Sequence, residues 1–352
     1  MKGKVKFLIG CLVVLAAIAV ASPGMALNIV VFFLSFVAAG GAALFVHELG
    51  HVLGAFITGR KVIKFSLGPI TLSIPQKKII FSWKNFYYVG NVLVDVADFK
   101  DEASYERNNK KQSVIFILGP VMSLVTGILA LTLLKNSFDH LVVTLFGILS
   151  LAMGLGTLIF SDGRLAKTIA DPYESLYYYW NILFTIPHVK EESLKFLLLK
   201  SETYLFDKYI GNKKGITEKF TDLFVLYYSK YFSQVIGRER INAIDFMPFL
   251  MDALRDESGK RHNKMIVSHI LCEEAMGWSL AGRQDEAESL YAFVQEHGVT
   301  EPITRLKVES VLKRSVELGR EYAAQRKALV QNNVFDYYEE KWLKERGLPG
   351  FK

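Results

Sequence analysis

The sequence predicts an all-α polytopic membrane protein of about four transmembrane helices, with a small membrane-associated β-hairpin region and a C-terminal α-helical soluble domain. Three observations predict this architecture. Four apolar stretches, Phe7 to Ala21, Leu27 to Ile57, Ser113 to Leu134 and Leu141 to Phe160, approach or exceed the ~20 helical residues that cross a hydrocarbon core. Between the second and third, short runs of alternating apolar residues are separated by turn formers. From Asp171-Pro172 onward the chain is rich in helix formers at amphipathic spacing. The 352 residues are 51% hydrophobic, an average that hides this change of character near residue 165. The expected domains are therefore 1–26 (transmembrane helix and turn), 27–170 (membrane core, with a hairpin loop at 60–100) and 171–352 (cytosolic helical domain).

The first apolar stretch is the shortest and follows Lys2, Lys4 and Lys6. Gly24-Met25-Ala26 resembles a signal-peptide cleavage site, whereas Pro23-Gly24 also suits a turn between two spans. The immediate return into another apolar helix favours a retained span. Basic residues then orient the chain. Arg60, Lys61 and Lys64 follow the second span, seven more Lys or Arg reach Lys111, and Arg164 and Lys167 follow the fourth. Only Lys135 separates the third span from the fourth. The N-terminus, the loop from Gly59 to Gln112 and the C-terminal domain are thus expected in the cytosol. The net charge of +7 has the same origin, so no nucleic-acid partner is expected. Cys11 and Cys272 lie in segments of different character and predict neither a disulfide nor a Cys metal site.

The second span ends on His47-Glu48-Leu49-Gly50-His51. Imidazoles four residues apart fall on one helix face and can reach one metal ion, while Glu48 is placed to touch a water beside it. No other charged residue interrupts Ile29 to Val46, so these groups are carried into hydrocarbon, where polar residues are costly and mark function. His51 precedes Arg60 by nine residues, or ~13 Å of helix, which puts the pair inside the membrane toward its cytosolic face. The pattern predicts a membrane-embedded zinc protease. A catalytic zinc takes three protein ligands and keeps one open position. The third candidate is Asp162, in Phe160-Ser161-Asp162-Gly163 at the cytosolic end of the fourth span. An Asp-Gly turn at the membrane boundary is the alternative reading of those residues. The neighbouring His-Glu-x-x-His favours the ligand.

From about Asn28 to Lys167 the chain resembles the site-2 protease family of intramembrane metalloproteases. The resemblance rests on His47-Glu48-Leu49-Gly50-His51, Leu118-Gly119-Pro120 and Ser161-Asp162-Gly163, with Lys64-Phe65-Ser66-Leu67-Gly68-Pro69 similar to the segment after the zinc helix. It implies that His47, His51 and Asp162 bind zinc, that Glu48 drives hydrolysis and, with the compact loops, that the membrane is a bacterial plasma membrane. The family often has asparagine where this chain has Ser123, and Asn-x-x-Pro where it has Gly154 and Thr157. Both departures leave the ligands intact, which describes a divergent, active member.

Zinc lowers the pKa of a coordinated water to ~7, and Glu48 would act as general base. The substrate is expected to be a membrane protein or signal peptide in the lipid bilayer, whose helix must unwind locally before attack. The runs Val62 to Leu67, Ile70 to Ile74, Ile79 to Trp83 and Val92 to Val96 predict β-hairpins. Their edge can pair with an extended substrate, or the hairpins can lie on the membrane with Phe81, Trp83, Phe86, Tyr87 and Tyr88 at headgroup level, and the sequence leaves both open. Gly50 and Gly54, and Gly119, Ser123 and Gly127, form small-residue stripes for close helix packing.

In the C-terminal half, Tyr177-Tyr178-Tyr179-Trp180 predicts an interfacial or core cluster. Ala275, Trp278, Gly282, Ala287 and Tyr291 fall where a tetratricopeptide hairpin places its packing residues, with the turn at Leu280 to Ala287. Such a domain would dock a cytosolic partner or substrate tail. The competing function is a catalytically silent adaptor, against which Glu48 counts because metal binding alone does not need it. A metal transporter is disfavoured by the absence of further intramembrane ligands.

Overall fold

In the computed structural model the residues described are 22–81, 90–96, 98–134, 140–183, 186, 189–236, 245–256, 260–329 and 334–345. The first apolar stretch, Phe7 to Ala21, and the aromatic residues Trp83, Phe86, Tyr87 and Tyr88 lie outside them. The chain divides into two compact units, Met1–Asp95 with Lys110–Ala170, and Val96–Asn109 with Asp171–Lys352.

The first unit is built on helices α1 (Pro23–Ile57), α2 (Glu102–Leu129, whose first residues belong to the second unit) and α3 (His140–Phe160). Among the described residues, Leu27–Ile57, Glu102–Leu133 and His140–Ala170 are long and apolar enough to cross a membrane. Proline opens α1, where its missing N–H costs nothing, and Gly59 closes it at φ +68°, a left-handed conformation that suits glycine. Phe32, Phe33, Leu34 and Val37 face outward from α1, an apolar surface suited to lipid. Inward, the small-residue stripes set the spacing. A Cβ on Gly50 would stand 2.8 Å from Gly119 Cα, and one on Gly54 2.8 Å from Ile115 Cα. A Cβ on Gly154 of α3 would stand 2.9 Å from the Pro120 carbonyl oxygen of α2. Only glycine lets these backbones approach so closely.

Between α1 and α2 lie four antiparallel strands, β1 (Val62–Leu67), β2 (Ile70–Ser73), β3 (Lys78–Phe81) and β4 (Gly90–Val94). The expected hairpins β1–β2 and β2–β3 form, with Phe65 opposite Leu72 and Thr71 opposite Ile80. The spatial order is β3-β2-β1-β4, so β4 returns to pair with β1 and becomes an edge strand. Apolar packing of Val94 and Val92 with Ala55 and Ile115 holds β4 against the helices. Arg60 Nη1 adds a 3.0 Å hydrogen bond to the Asp95 carbonyl.

The second unit is helical: α5 (Glu174–Ile182), α6 (Glu191–Tyr209), α7 (Phe220–Ile236), α8 (Met247–Arg255), α9 (Arg261–Leu280), α10 (Gln284–His297), α11 (Pro302–Leu312), α12 (Val316–Leu329) and α13 (Val334–Glu345); α4 (Asp162–Ala170) belongs to the first unit. Val96–Asn109 joins this unit through aromatic packing, with Phe99 and Tyr105 fully buried against Tyr179. Tyr179 and Trp180 are thus core residues, and Trp180 stacks on Phe232 and donates its indole N–H to Ser201 Oγ at 3.0 Å. Helices α9 and α10 form a hairpin across Ala281–Arg283, with Gly282 at φ +83° and Ala275, Ala287 and Tyr291 buried.

Candidate functional site

His47 and His51 share one face of α1, one turn apart, with ring centroids 4.9 Å apart. Glu48, on the same turn, is 4% exposed, and its Oε2 finds no hydrogen-bond partner among the described residues. Asp162 arrives from the end of α3. The helix stops at Phe160, bends at Ser161 and restarts as α4 at Asp162. A Cβ on Gly163 would overlap the Leu158 carbonyl, so the tight break depends on that glycine. The break brings Asp162 Oδ2 to 3.0 Å from His47 Nε2 and 3.7 Å from His51 Nε2.

Hydrogen bonds on the far side of each ring decide what these nitrogens can do. His51 Nδ1 lies 2.8 Å from the Ile115 carbonyl, which only accepts, so Nδ1 carries the proton and Nε2 a lone pair. His47 Nδ1 lies 3.0 Å from Ser123 Oγ, which can accept the same kind of bond. A hydroxyl can also donate, so Ser123 suits either tautomer of His47; with the proton on His47 Nδ1, both Nε2 atoms offer lone pairs beside the carboxylate, a set that a cation satisfies. The separations also suit one. Tetrahedral zinc with ~2.0–2.1 Å bonds spaces its ligand atoms by about 3.3 Å, between the two distances found. The three side chains form a group that can hold a metal ion, their ligand atoms all within 4.8 Å of one another. A buried carboxylate oxygen without a partner next to that group fits a role in handling a water's proton.

The four residues singled out by sequence therefore meet in the first unit. Three others bear on the site and were not singled out as functional. Ser123, fully buried, holds His47. Gly119 leaves room for His51, whose ring a Cβ would overlap. Gly90, at the start of β4, abuts the Glu48 carboxylate so closely that a Cβ would overlap it. The four-residue spacing of Gly119 and Ser123 was a signal that both face α1, though it reads first as packing. Replacing Ser123 with alanine removes the hydrogen-bond partner of His47 Nδ1. Zinc affinity measured by chelator competition is expected to fall about tenfold, and a change under about twofold would deny Ser123 this role.

No curated protein and no solved structure matches the chain significantly. A family model does, that of peptidase family M50, over residues 16–310. Members of that family are zinc-dependent metalloproteases embedded in membranes. With the match covering most of its length, and with apolar helices of membrane-spanning length around a His-His-Asp cluster, the chain belongs to peptidase family M50, the site-2 protease family.

Proposed function

We propose that this protein is an intramembrane zinc metalloendopeptidase that cuts a peptide bond within or near a transmembrane segment of a membrane-protein or signal-peptide substrate. One observation carries the reading: the convergence of His47, His51 and Asp162 next to a buried glutamate with a free oxygen. His47, His51 and Asp162 would hold zinc. When bound, zinc supplies Lewis acidity, which lowers the pKa of a coordinated water to ~7 and polarises the scissile carbonyl. Glu48 Oε2 accepts a proton from the attacking water as its oxygen bonds to the carbonyl carbon. The C–N bond then breaks, and Glu48 delivers the proton to the departing nitrogen. The Ile115 carbonyl keeps His51 in the tautomer this requires, and Ser123 can accept from His47 Nδ1 in the same tautomer.

Substrate presentation falls to β4. It is an edge strand, and its first residue lies against Glu48. An extended, unwound segment pairing along β4 would lie beside the carboxylate, with its amides hydrogen-bonded to the strand. Arg60, Lys61 and Lys64 after α1, with Arg164 and Lys167 after α3, support a cytosolic side at the Glu48 end of α1, which would give water a short route to the site.

The test is membrane proteomics of cells carrying Glu48→Gln against cells carrying the unaltered protein. At least one membrane protein is expected to persist at full length only in the variant cells. An adaptor would leave both profiles alike, and that outcome would defeat the proposal.

A further inference from the structure

A groove of about 760 Å³ lies entirely within the second unit, bounded by α8, the end of α9 and α10. Its size is that of a binding pocket, for which ~300–1,000 Å³ is usual. The floor is apolar: Met247 and Met251 from α8, Trp278 from α9, and Leu290 and Phe293 from α10. Thioether side chains adapt their shape to different apolar partners, a property of surfaces that accept more than one sequence. The rim has a different chemistry. Asp245 and Asp252 border it on one side, Asp285 and Glu286 on the other, and all four are exposed. Among the described residues one cation, Arg255, lines the groove, and it is drawn onto the wall by its 2.9 Å pair with Asp252 and its place over the Phe293 ring. Glu286 pairs with Arg283, whose guanidinium stands over the ring of Trp278. Four carboxylates against these two guanidiniums leave the described residues around the groove acidic on a chain of net charge +7.

We propose that this groove binds the cytosolic flank of the substrate, a segment in which Lys or Arg residues stand beside apolar anchors. The proposal rests on the proteolytic reading above, which supplies a membrane protein as substrate, and on the second unit lying in the cytosol. Charge complementarity selects the occupant. Carboxylates on both edges attract a cationic peptide and repel an acidic one. Membrane proteins carry this combination at the cytosolic ends of their spans, where Lys and Arg concentrate next to hydrophobic sequence. An apolar floor between acidic edges therefore matches that flank.

The test uses full-length Glu48→Gln protein in detergent and a labelled peptide in which Leu and Phe alternate with pairs of Lys, read by fluorescence anisotropy. Saturable binding is expected, weakened about tenfold by Asp285→Lys with Glu286→Lys and weakened also by added salt. A matched peptide with Glu in place of Lys should bind the double variant better than the unreversed protein, which also shows that the variant is folded. Equal affinity of both proteins for both peptides, or no saturable binding, overturns the proposal. Dissociation of a dimer by the double reversal would give the groove to a second copy of the chain and likewise overturn it. Cleavage of an intact membrane substrate by the unaltered enzyme is scored separately. Peptide binding without cleavage would sink the proteolytic reading, and with it the assignment of the peptide as substrate; cleavage without peptide binding would sink only the groove.

Discussion

Glu48→Gln is expected to lower the rate of peptide-bond cleavage by the purified protein about 10³-fold or more while leaving one zinc per chain. Glutamine keeps the shape of the side chain but cannot accept the water's proton, and the residue is not among the three that can hold the metal. Asp162→Ala should do the reverse in the metal channel. It removes one of the three candidate ligands, so zinc measured by elemental analysis should fall with cleavage. The pair of variants separates the two roles. Undiminished turnover in Glu48→Gln would end the general-base assignment, and undiminished zinc in Asp162→Ala would remove that carboxylate from the ligand set.

Lys307→Ala is expected to cost the second unit about 3–5 kcal/mol, because it strips the shared cation from a buried network. Lys307 Nζ on α11 lies 2.6 Å from Glu273 on α9 and 2.9 Å from Glu339 on α13. Arg326 on α12 and the Tyr322 hydroxyl complete the partners of Glu339. Burial alone would lower the Lys307 ammonium, but the two carboxylates outweigh it and hold its pKa well above the ordinary value. The two carboxylates shift in opposite directions for a local reason. Burial raises Glu273, whose cation is Lys307; burial also acts on Glu339, but Lys307 and Arg326 together overcome it and hold that carboxyl below its usual range.

The pH dependence follows from those directions. Glu339 contributes stability above its unfolded pKa of about 4.3 and loses that contribution as pH falls through its depressed folded value. Lys307 contributes below its unfolded pKa of about 10.4 and loses the contribution as pH rises through its elevated folded value. The difference in melting temperature between the two full-length proteins in detergent should therefore be largest from neutral pH to about pH 10 and shrink toward acid, as Glu273, raised by burial, takes up its proton before Glu339 does. A variant melting within a degree or two of the unaltered protein at pH 7 would refute this account.

Whatever one local period or one partition rule controls was legible in the order of residues alone. Apolar length marked Leu27 to Ile57, Ser113 to Leu134 and Leu141 to Phe160, and the structure has helices of membrane-spanning length at Leu27–Ile57, Glu102–Leu133 and His140–Ala170. The four-residue spacing of His47 and His51 required a shared helix face, and alternation marked the runs that became β1 to β4. Other features were decided only by the tertiary structure, because they join residues far apart along the chain. Alternation is the same whichever neighbour a strand takes, so it left open the return of β4 to β1 that carries Gly90 to Glu48. A serine on a membrane helix reads as a packing residue until another helix brings an imidazole to it, as α1 brings His47 to Ser123. Lys307 in a helical stretch reads as a solvated charge, yet carboxylates from two other helices enclose it. Helical and extended periods are written in short-range sterics and burial, whereas the meeting of distant polar groups depends on the path of the whole chain.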